Sequence, residues 1–442
     1  MRNYPETWEE VTLGQFGEIV SGGTPDRNNP AYWNGDILWV TPSEITANNG
    51  KYLYDTREKI TKAGLNASSA KLLPEKSLLI TSRATLGELA IAAKPISTNQ
   101  GFKSIIPNEV TDPVFAFYLV KTLKSEMVRL ASGTTFLEIS KSDFSRITAH
   151  RPQLLEQARI AYVLDTIDEA ISKTEAVIAK LKQVRAGMLH DLLSYGLDEH
   201  GQLRDPIAHP EHFKDSPLGR IPRGWDVVRL SERAGVFGGK RLPSGHSYAD
   251  LPTGYRYLRV LDFFGKSITY NELAILRKDT FAALRRYEIC DGELFISIAG
   301  SLGCVGVLRP KNSDRFILTE NAARINIQKN FLPEFLCMFM NGQVVQRQIN
   351  AEKGIGAGVP KLALHRIERL WVALPNPEEQ ESIITTAAHP DVQIEAEQIE
   401  LNKLQKLKSG LQDDLLTGRV RVTESIMERR DGSRTALTTT GP

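Results

Sequence analysis

Residues 152–193 read PQLLEQARIAYVLDTIDEAISKTEAVIAKLKQVRAGMLHDLL, and residues 375–416 read PNPEEQESIITTAAHPDVQIEAEQIELNKLQKLKSGLQDDLL. At a constant shift of 223, Pro152, Glu156, Gln157, Leu181, Gly187, Asp191, Leu192 and Leu193 fall on Pro375, Glu379, Gln380, Leu404, Gly410, Asp414, Leu415 and Leu416. A match without a gap over this length is rare by chance, so one segment is a copy of the other. The first copy places Ile160, Leu164, Ile167, Ile171, Thr174, Ile178 and Leu181 in alternating 4-3 spacing, and Met188 and Leu192 continue it. That is a heptad seam, with Lys173, Glu175, Lys180 and Lys182 on other faces. As one helix, 153–195 is a rod of roughly 60 Å at about 1.5 Å per residue. In the second copy Ile394, Leu401, Leu404, Leu411 and Leu415 carry the seam. Pro390 is expected to end or kink that helix before it. Each seam exposes a stripe that one helix cannot bury alone, so the two helices are expected to pair with each other, antiparallel if the copies obey a pseudo-twofold axis.

The duplication extends upstream. Trp8, Val11 and Leu13 recur as Trp225, Val228 and Leu230, and the run Leu78–Ser82 with Leu86-Gly87 recurs as Leu294–Ile298 with Leu302-Gly303. The shifts there drift by a few residues, as loop insertions make them. The chain is therefore read as two copies of a unit of about 220 residues, the size of a domain with an appendage. Residues 1–152 and 223–375 are expected to be mixed domains of class α+β. Short β-branched or aromatic runs such as Ile37–Val40 and Glu293–Ile298 alternate there with turn residues, and helices are expected near Val114–Ala131 and Pro333–Glu352. Residues 153–195 and 376–417 are the helical arms. Residues 196–222, rich in Pro and Gly and without periodicity, are expected to be a linker, and 418–442 a disordered tail.

Composition limits the function classes. The 442 residues carry 55 Lys and Arg against 53 Asp and Glu, a formal net charge of +2. That excludes a blanket polycation but not a local basic face. Cys290, Cys304 and Cys337 have no C-x-x-C spacing, which argues against a disulfide framework or a four-ligand zinc site and fits a reducing compartment. The first ten residues, MRNYPETWEE, have no apolar core of a signal peptide, and no apolar run is long enough to span a membrane. A cytoplasmic location is the expectation.

Searches for catalytic patterns fail. Gly239-Lys240-Arg241 and Gly265-Lys266-Ser267 lack the rest of a phosphate loop, and Gly354, Gly356 and Gly358 are followed by Pro360-Lys361 where a dinucleotide-binding helix would open. Asn376-Pro377-Glu378 departs at its third position from the Asn/Asp-Pro-Pro-Tyr/Phe run of amino-methyltransferases, and the eight histidines show no ligand spacing, with His209 and His212 in the linker. The chain reads as a binder, with no catalytic residue, no metal and no cofactor of its own.

Candidate contact residues lie in repeated loops. In the first copy they are Gly22, Gly23 and Thr24, whose glycines are free to take positive φ and to offer backbone N–H groups to phosphate; Thr41 and Ser43 after a strand; Arg83 and Thr85 at a turn; Asn99, Gln100 and Lys103; and Thr134 and Thr135. In the second copy they are Gly239, Lys240, Arg241, Arg259, Ser301, Asn321, Lys353 and Lys361. Asn and Gln pair bidentately with adenine and Arg with guanine, though an Asn that satisfies its own loop is an equally good reading. Trp8, Trp33, Trp225 and Trp371 read as core.

A duplicated α+β domain with a helical arm resembles the specificity subunit of Type I restriction–modification systems. The resemblance is carried by Ser21–Pro25 with Tyr32–Ile37 and Trp39-Val40-Thr41, by Ser82-Arg83 with Thr85-Leu86-Gly87, by Thr98–Lys103, by Pro152 with Leu155-Glu156-Gln157, and by the linker from Gly196 to Trp225. The second copy departs from the Ser-Arg and Asn-Gln-Gly-Phe patterns. The resemblance implies two target recognition domains, each reading one half of a split target in double-stranded DNA, with the paired arms setting the spacer. It implies two modification subunits bringing S-adenosylmethionine and N6-adenine methylation, and restriction subunits bringing ATP and Mg²⁺. The alternative is a coiled-coil scaffold or interaction protein that reads no DNA.

Overall fold

The structure is a computed structural model, described here for residues 4–48, 50–133, 137–264, 267–268, 270–328, 331–351 and 361–422. Its contacts divide the chain into two compact units, Met1–Glu175 with Ile399–Pro442 and Ala176–Gln398. The boundary cuts both arms, so each unit contains one mixed domain and about half of each long helix.

Those helices are Leu154–Tyr195 and Pro377–Leu416. Their pairing is antiparallel within each unit. In the first, Glu156 pairs with Arg421 and Asp168 with Lys408. In the second, Arg185 Nη2 donates to Asp391 Oδ2 at 3.0 Å, and the Leu197 N–H to Glu379 Oε1 at 3.0 Å. Advancing along one helix retreats along the other, in the same register in both units. The seam is buried where heptads place it: Ile160, Leu164, Ile167 and Ile178 on one helix, Leu401 and Leu415 on the other. Of the two outcomes expected at Pro390, an end or a kink, the end does not occur, because the second helix continues through it. Proline removes one backbone hydrogen bond and crowds the preceding turn. Here its ring is buried, and Ile383 and Ala387 beside it belong to the main core of the second unit, so packing offsets the lost bond.

In the first unit one five-stranded sheet contains, in order, Gly17–Ser21, Lys103–Pro107, Leu78–Ile80, Leu89–Ala92 and Tyr52–Leu53. A three-stranded sheet sets Trp33–Val40 between Glu58–Ile60 and Ile96–Thr98. The helices Pro113–Thr122 and Lys124–Leu130 pack Phe115, Tyr118 and Met127 into a core that also takes Ile160, Leu164, Leu415 and Leu416 from the arms. The second unit has two four-stranded sheets. One orders Ala234–Gly238, Ala322–Ile327, Leu294–Ser297 and Val305–Val307; the other contains Tyr255–Leu258 paired in parallel with Arg315–Leu318. Helices Pro333–Asn341 and Gln343–Ala351 complete it.

Two further expectations change. Within 196–222, Phe213–Ser216 and Gly219–Pro222 form an antiparallel hairpin. It forms because Phe213 and Ile221 have a core to enter, which local composition does not reveal. At the other end, Val422 is buried and Arg421 chelates Glu156, so 418–422 is part of the first unit. Residues 423–442 lie outside the described part.

One repeated clamp ties the arms to the domains. Glu379 is buried and accepts from Trp225 Nε1 at 2.9 Å and from both Nη atoms of Arg204 at 2.5 and 3.2 Å. Glu156 accepts from Trp8 Nε1 at 3.3 Å and from Arg421 Nε and Nη2 at 2.6 and 2.8 Å. Beside each, a buried glutamine seals the helix start. Gln157 donates to the Val110 and Pro152 carbonyls and accepts from the Asp112 N–H; Gln380 donates to the Pro375 carbonyl and accepts from the Leu332 N–H.

The first unit also holds Lys51 against Asp165, with Tyr118 Oη 2.8 Å from Asp165 Oδ1 and 2.6 Å from Asp168 Oδ2, its single proton going to one carboxylate at a time. Burial pushes the Lys51 ammonium down to about 8, against a partial rescue by Asp168. The folded value lies below the ordinary 10.5, so between these limits the unfolded chain binds the extra proton. On account of this group, stability therefore rises with pH from about 8 to 10.5, and that gain is lost as pH falls back to 8. Lys51→Met should flatten that slope in urea midpoints measured across the window. An unchanged slope would contradict the burial argument.

Candidate nucleic-acid interface

In each unit four strands end on one rim, and the candidate residues follow those ends. In the first, Gly17–Ser21 runs into Gly22–Thr24, Trp33–Val40 into Thr41–Ser43, Leu78–Ile80 into the Arg83–Thr85 turn, and Ile96–Thr98 into Asn99-Gln100. Backbone bonds lock these loops together. The Gly23 N–H donates to the Thr98 carbonyl at 2.9 Å, the Asn99 N–H to Val40 at 3.1 Å, and the Ser82 N–H to Gly101 at 2.8 Å. Thr24 Oγ1 donates to Gln100 Oε1.

The glycines are needed for a different reason from the one expected. Neither Gly22 nor Gly23 has positive φ. A Cβ on Gly22 would lie 2.0 Å from the Asn99 carbonyl oxygen, and one on Gly239 would lie 2.1 Å from that of Thr319. Close passage of two backbones excludes a side chain. The N–H groups of Gly23, Gly239 and Lys240 are also taken internally, by Thr98, Ala322 and Leu318. They do not face outward for phosphate.

The side chains divide by exposure. Ser43, Arg83, Thr85 and Gln100 are exposed, and Thr24, Thr41 and Asn99 are half-buried. Thr41 caps the short helix Pro42–Ala47 with Glu44, whose Oε2 accepts from the Thr41 N–H and hydroxyl at 2.9 and 2.8 Å. Asn99 Oδ1 accepts from the Gly101 N–H at 2.9 Å, so part of its capacity satisfies its own loop. Arg83 and Lys103 both approach Glu138, at 3.9 and 3.7 Å. Lys103 is buried, with Nζ 3.4 Å from Ser82 Oγ, and desolvation lowers its ammonium pKa. It supports the rim from beneath. Thr134 and Thr135 lie outside the described residues, as does Lys353.

The second unit repeats the framework with other side chains. Ala234–Gly238 runs into Gly239–Arg241, Tyr255–Leu258 into Arg259, Leu294–Ser297 toward Ser301, and Arg315–Leu318 toward Asn321. The Arg259 N–H donates to Asp262 Oδ2 at 2.7 Å, the geometry that Thr41 makes with Glu44. Here the residue at the turn is itself a cation, held by Asp262 through Nε and Nη2 at 3.1 and 2.7 Å. Arg241 approaches Glu320 at 3.3 Å, and Tyr257 Oη donates to the Lys240 carbonyl at 2.7 Å. Asn321 offers its carbonyl to the Ile298 N–H at 2.8 Å. Lys240, Arg241, Ser301 and Lys361 are exposed, and Lys361 pairs with Ala299 across an isolated bridge.

Sequence reasoning missed the acids that orient these cations, Glu138, Glu320 and Asp262. It also missed Arg27, which stacks over Trp33 and Trp39 at 4.3 and 5.1 Å and pairs with Glu58. Only its place in the polar turn Asp26–Asn29 signalled it. The rims offer hydrogen-bonding and cationic groups on rigid loops, the chemistry of groove edges and phosphates.

Residues 5–183 match the family model of the Type I restriction modification DNA specificity domain. The Type I restriction enzyme MjaIX specificity subunit of Methanocaldococcus jannaschii is 30% identical over 249 residues, 55% of this chain and 55% of that one. The chain thus spans about half the length of that relative. The MjaVIII specificity subunit of the same organism is 24% identical over 426 residues, 95% of this chain and 94% of the relative. A solved chain described under the structural basis of complex assembly and conformational transition of the type I R-M system superposes with a TM-score of 0.62 at 18% identity, covering 95% of this chain and all of its own; at that identity the likeness concerns the fold.

Proposed function

We propose that this chain is a member of the family of Type I restriction–modification specificity subunits, a DNA-recognition subunit whose two domains each read one half of a split target. The observation that carries the reading is the rim built twice: one backbone framework presents Thr24, Arg83 and Gln100 in one unit and Lys240, Arg241 and Arg259 in the other. Equal scaffolds with unequal side chains are what two readers of different half-sites require. The paired arms act as the ruler between them. A separation near one helical turn, about 34–36 Å, would put both half-sites on one face of the duplex, and the arms exceed that length.

The chain itself supplies recognition and no bond-making. Two modification subunits would dock on it and bring S-adenosylmethionine, and restriction subunits would bring ATP and Mg²⁺. The target adenine would leave the stack for the modification subunit's pocket.

Salt-dependent binding to duplex DNA tests this against a scaffold that does not touch DNA. Removing one cation that neutralises a phosphate lowers the slope of log K on log salt by about 1. Arg241→Ala is expected to do so, and Lys103→Met, buried, is expected to leave the slope unchanged. Duplex binding that is absent, or insensitive to salt, in the assembled complex would favour the scaffold.

A further inference from the structure

We propose that His209, Glu211 and His212 form a binding site for a divalent transition-metal ion of the zinc type. The three residues are joined by one turn of 3-10 helix, Pro210–His212, between the first long helix and the second recognition domain. Their ligand atoms all lie within 4.8 Å of one another, the one such group of three or more among the described residues. His209 Nδ1 is 3.2 Å from Glu211 Oε1, and His212 Nε2 is 3.7 Å from the same oxygen. Bonds of about 2.0–2.1 Å to a tetrahedral ion place neighbouring ligand atoms roughly 3.3–3.4 Å apart. Small side-chain rotations close the triangle.

The backbone beneath is fixed in advance. The His209 N–H donates to the Asp205 carbonyl at 3.0 Å, and the Arg223 N–H to the His212 carbonyl at 2.8 Å. Arg220 Nη2 holds the Pro210 carbonyl at 2.7 Å, and Arg223 Nε the Glu211 carbonyl at 3.0 Å. The two imidazoles stack, with centroids 5.0 Å apart and planes at 16°. The ion therefore has to order side chains only, which keeps the entropic cost of binding small. Two imidazoles and one carboxylate select zinc, nickel or copper over magnesium and calcium, which take oxygen ligands. Three protein ligands leave a fourth position for water or for a donor from another molecule.

The test uses the full chain, titrated with Zn²⁺ by calorimetry and with Co²⁺ by visible absorption. One ion per chain is expected, with the intense cobalt band of four-coordinate geometry. His209→Ala and His212→Ala should each weaken binding by at least the roughly 10–100-fold that losing even an outer-shell partner costs. His200→Ala, outside the triad, should leave it unchanged. All three ligands are more than half exposed, so the variants are expected to fold as the parent does, checked by circular dichroism. No saturable binding, or binding that survives the double variant, would overturn the proposal.

Discussion

Glu379→Ala should destabilise the second unit by about 3–5 kcal/mol, the usual cost of leaving one member of a buried ion pair without its partner. Glu379 has a side-chain exposure of 8% and Arg204 of 18%. The carboxylate also serves Trp225 Nε1 and the Leu197 N–H, so removing it takes the acceptor from four donors on three residues, of which Arg204 Nη1 keeps the Tyr195 carbonyl. The matching Glu156→Ala should cost less, about 1–2 kcal/mol, because Arg421 is 39% exposed and regains water. Urea unfolding of the two variants measures the contrast. Equal losses, or a loss below about 1 kcal/mol at Glu379, would contradict the view that this carboxylate knots helix, linker and domain together.

Deleting one heptad from both arms should shorten the spacer between half-sites by about 3 base pairs, since seven residues rise about 10.5 Å and a turn of duplex takes about 34–36 Å. Both arms must change together. Asp168 meets Lys408 in one unit and Arg185 meets Asp391 in the other, in one register, so shortening a single helix must break one pair or the other. The paired deletion keeps both and leaves the rims untouched. The half-sites read by the shortened chain should therefore be unchanged. An unchanged spacer, or altered half-sites, would sink the ruler.

The arms were legible because their residues do the same work twice. Leu164, Ile178, Leu401 and Leu415 are buried in the seam, and Glu156 and Glu379 stand at equivalent helix starts. The clamp was not legible, because its arginines stand at unequal offsets beyond the helices, Arg421 five residues after Leu416 and Arg204 nine after Tyr195. At Pro390 local backbone chemistry allows an end to the helix, and packing of its buried ring carries the helix on. On the rims, the close approach at Gly22 and Gly239 left a trace in the repeat, but its cause is a neighbouring backbone and not a phosphate. Lys103 looked like an outward cation; only the tertiary fold sets it beneath Ser82 and Glu138.

The most direct test of a two-domain reader is a methylation map. The chain would be expressed with a cognate modification subunit in a host free of methylation, and every N6-methyladenine in the genome would be read. A single split motif, with one methylated adenine in each half on opposite strands, is the predicted result. A continuous motif, or no new motif from a complex shown to assemble and fold, would contradict it.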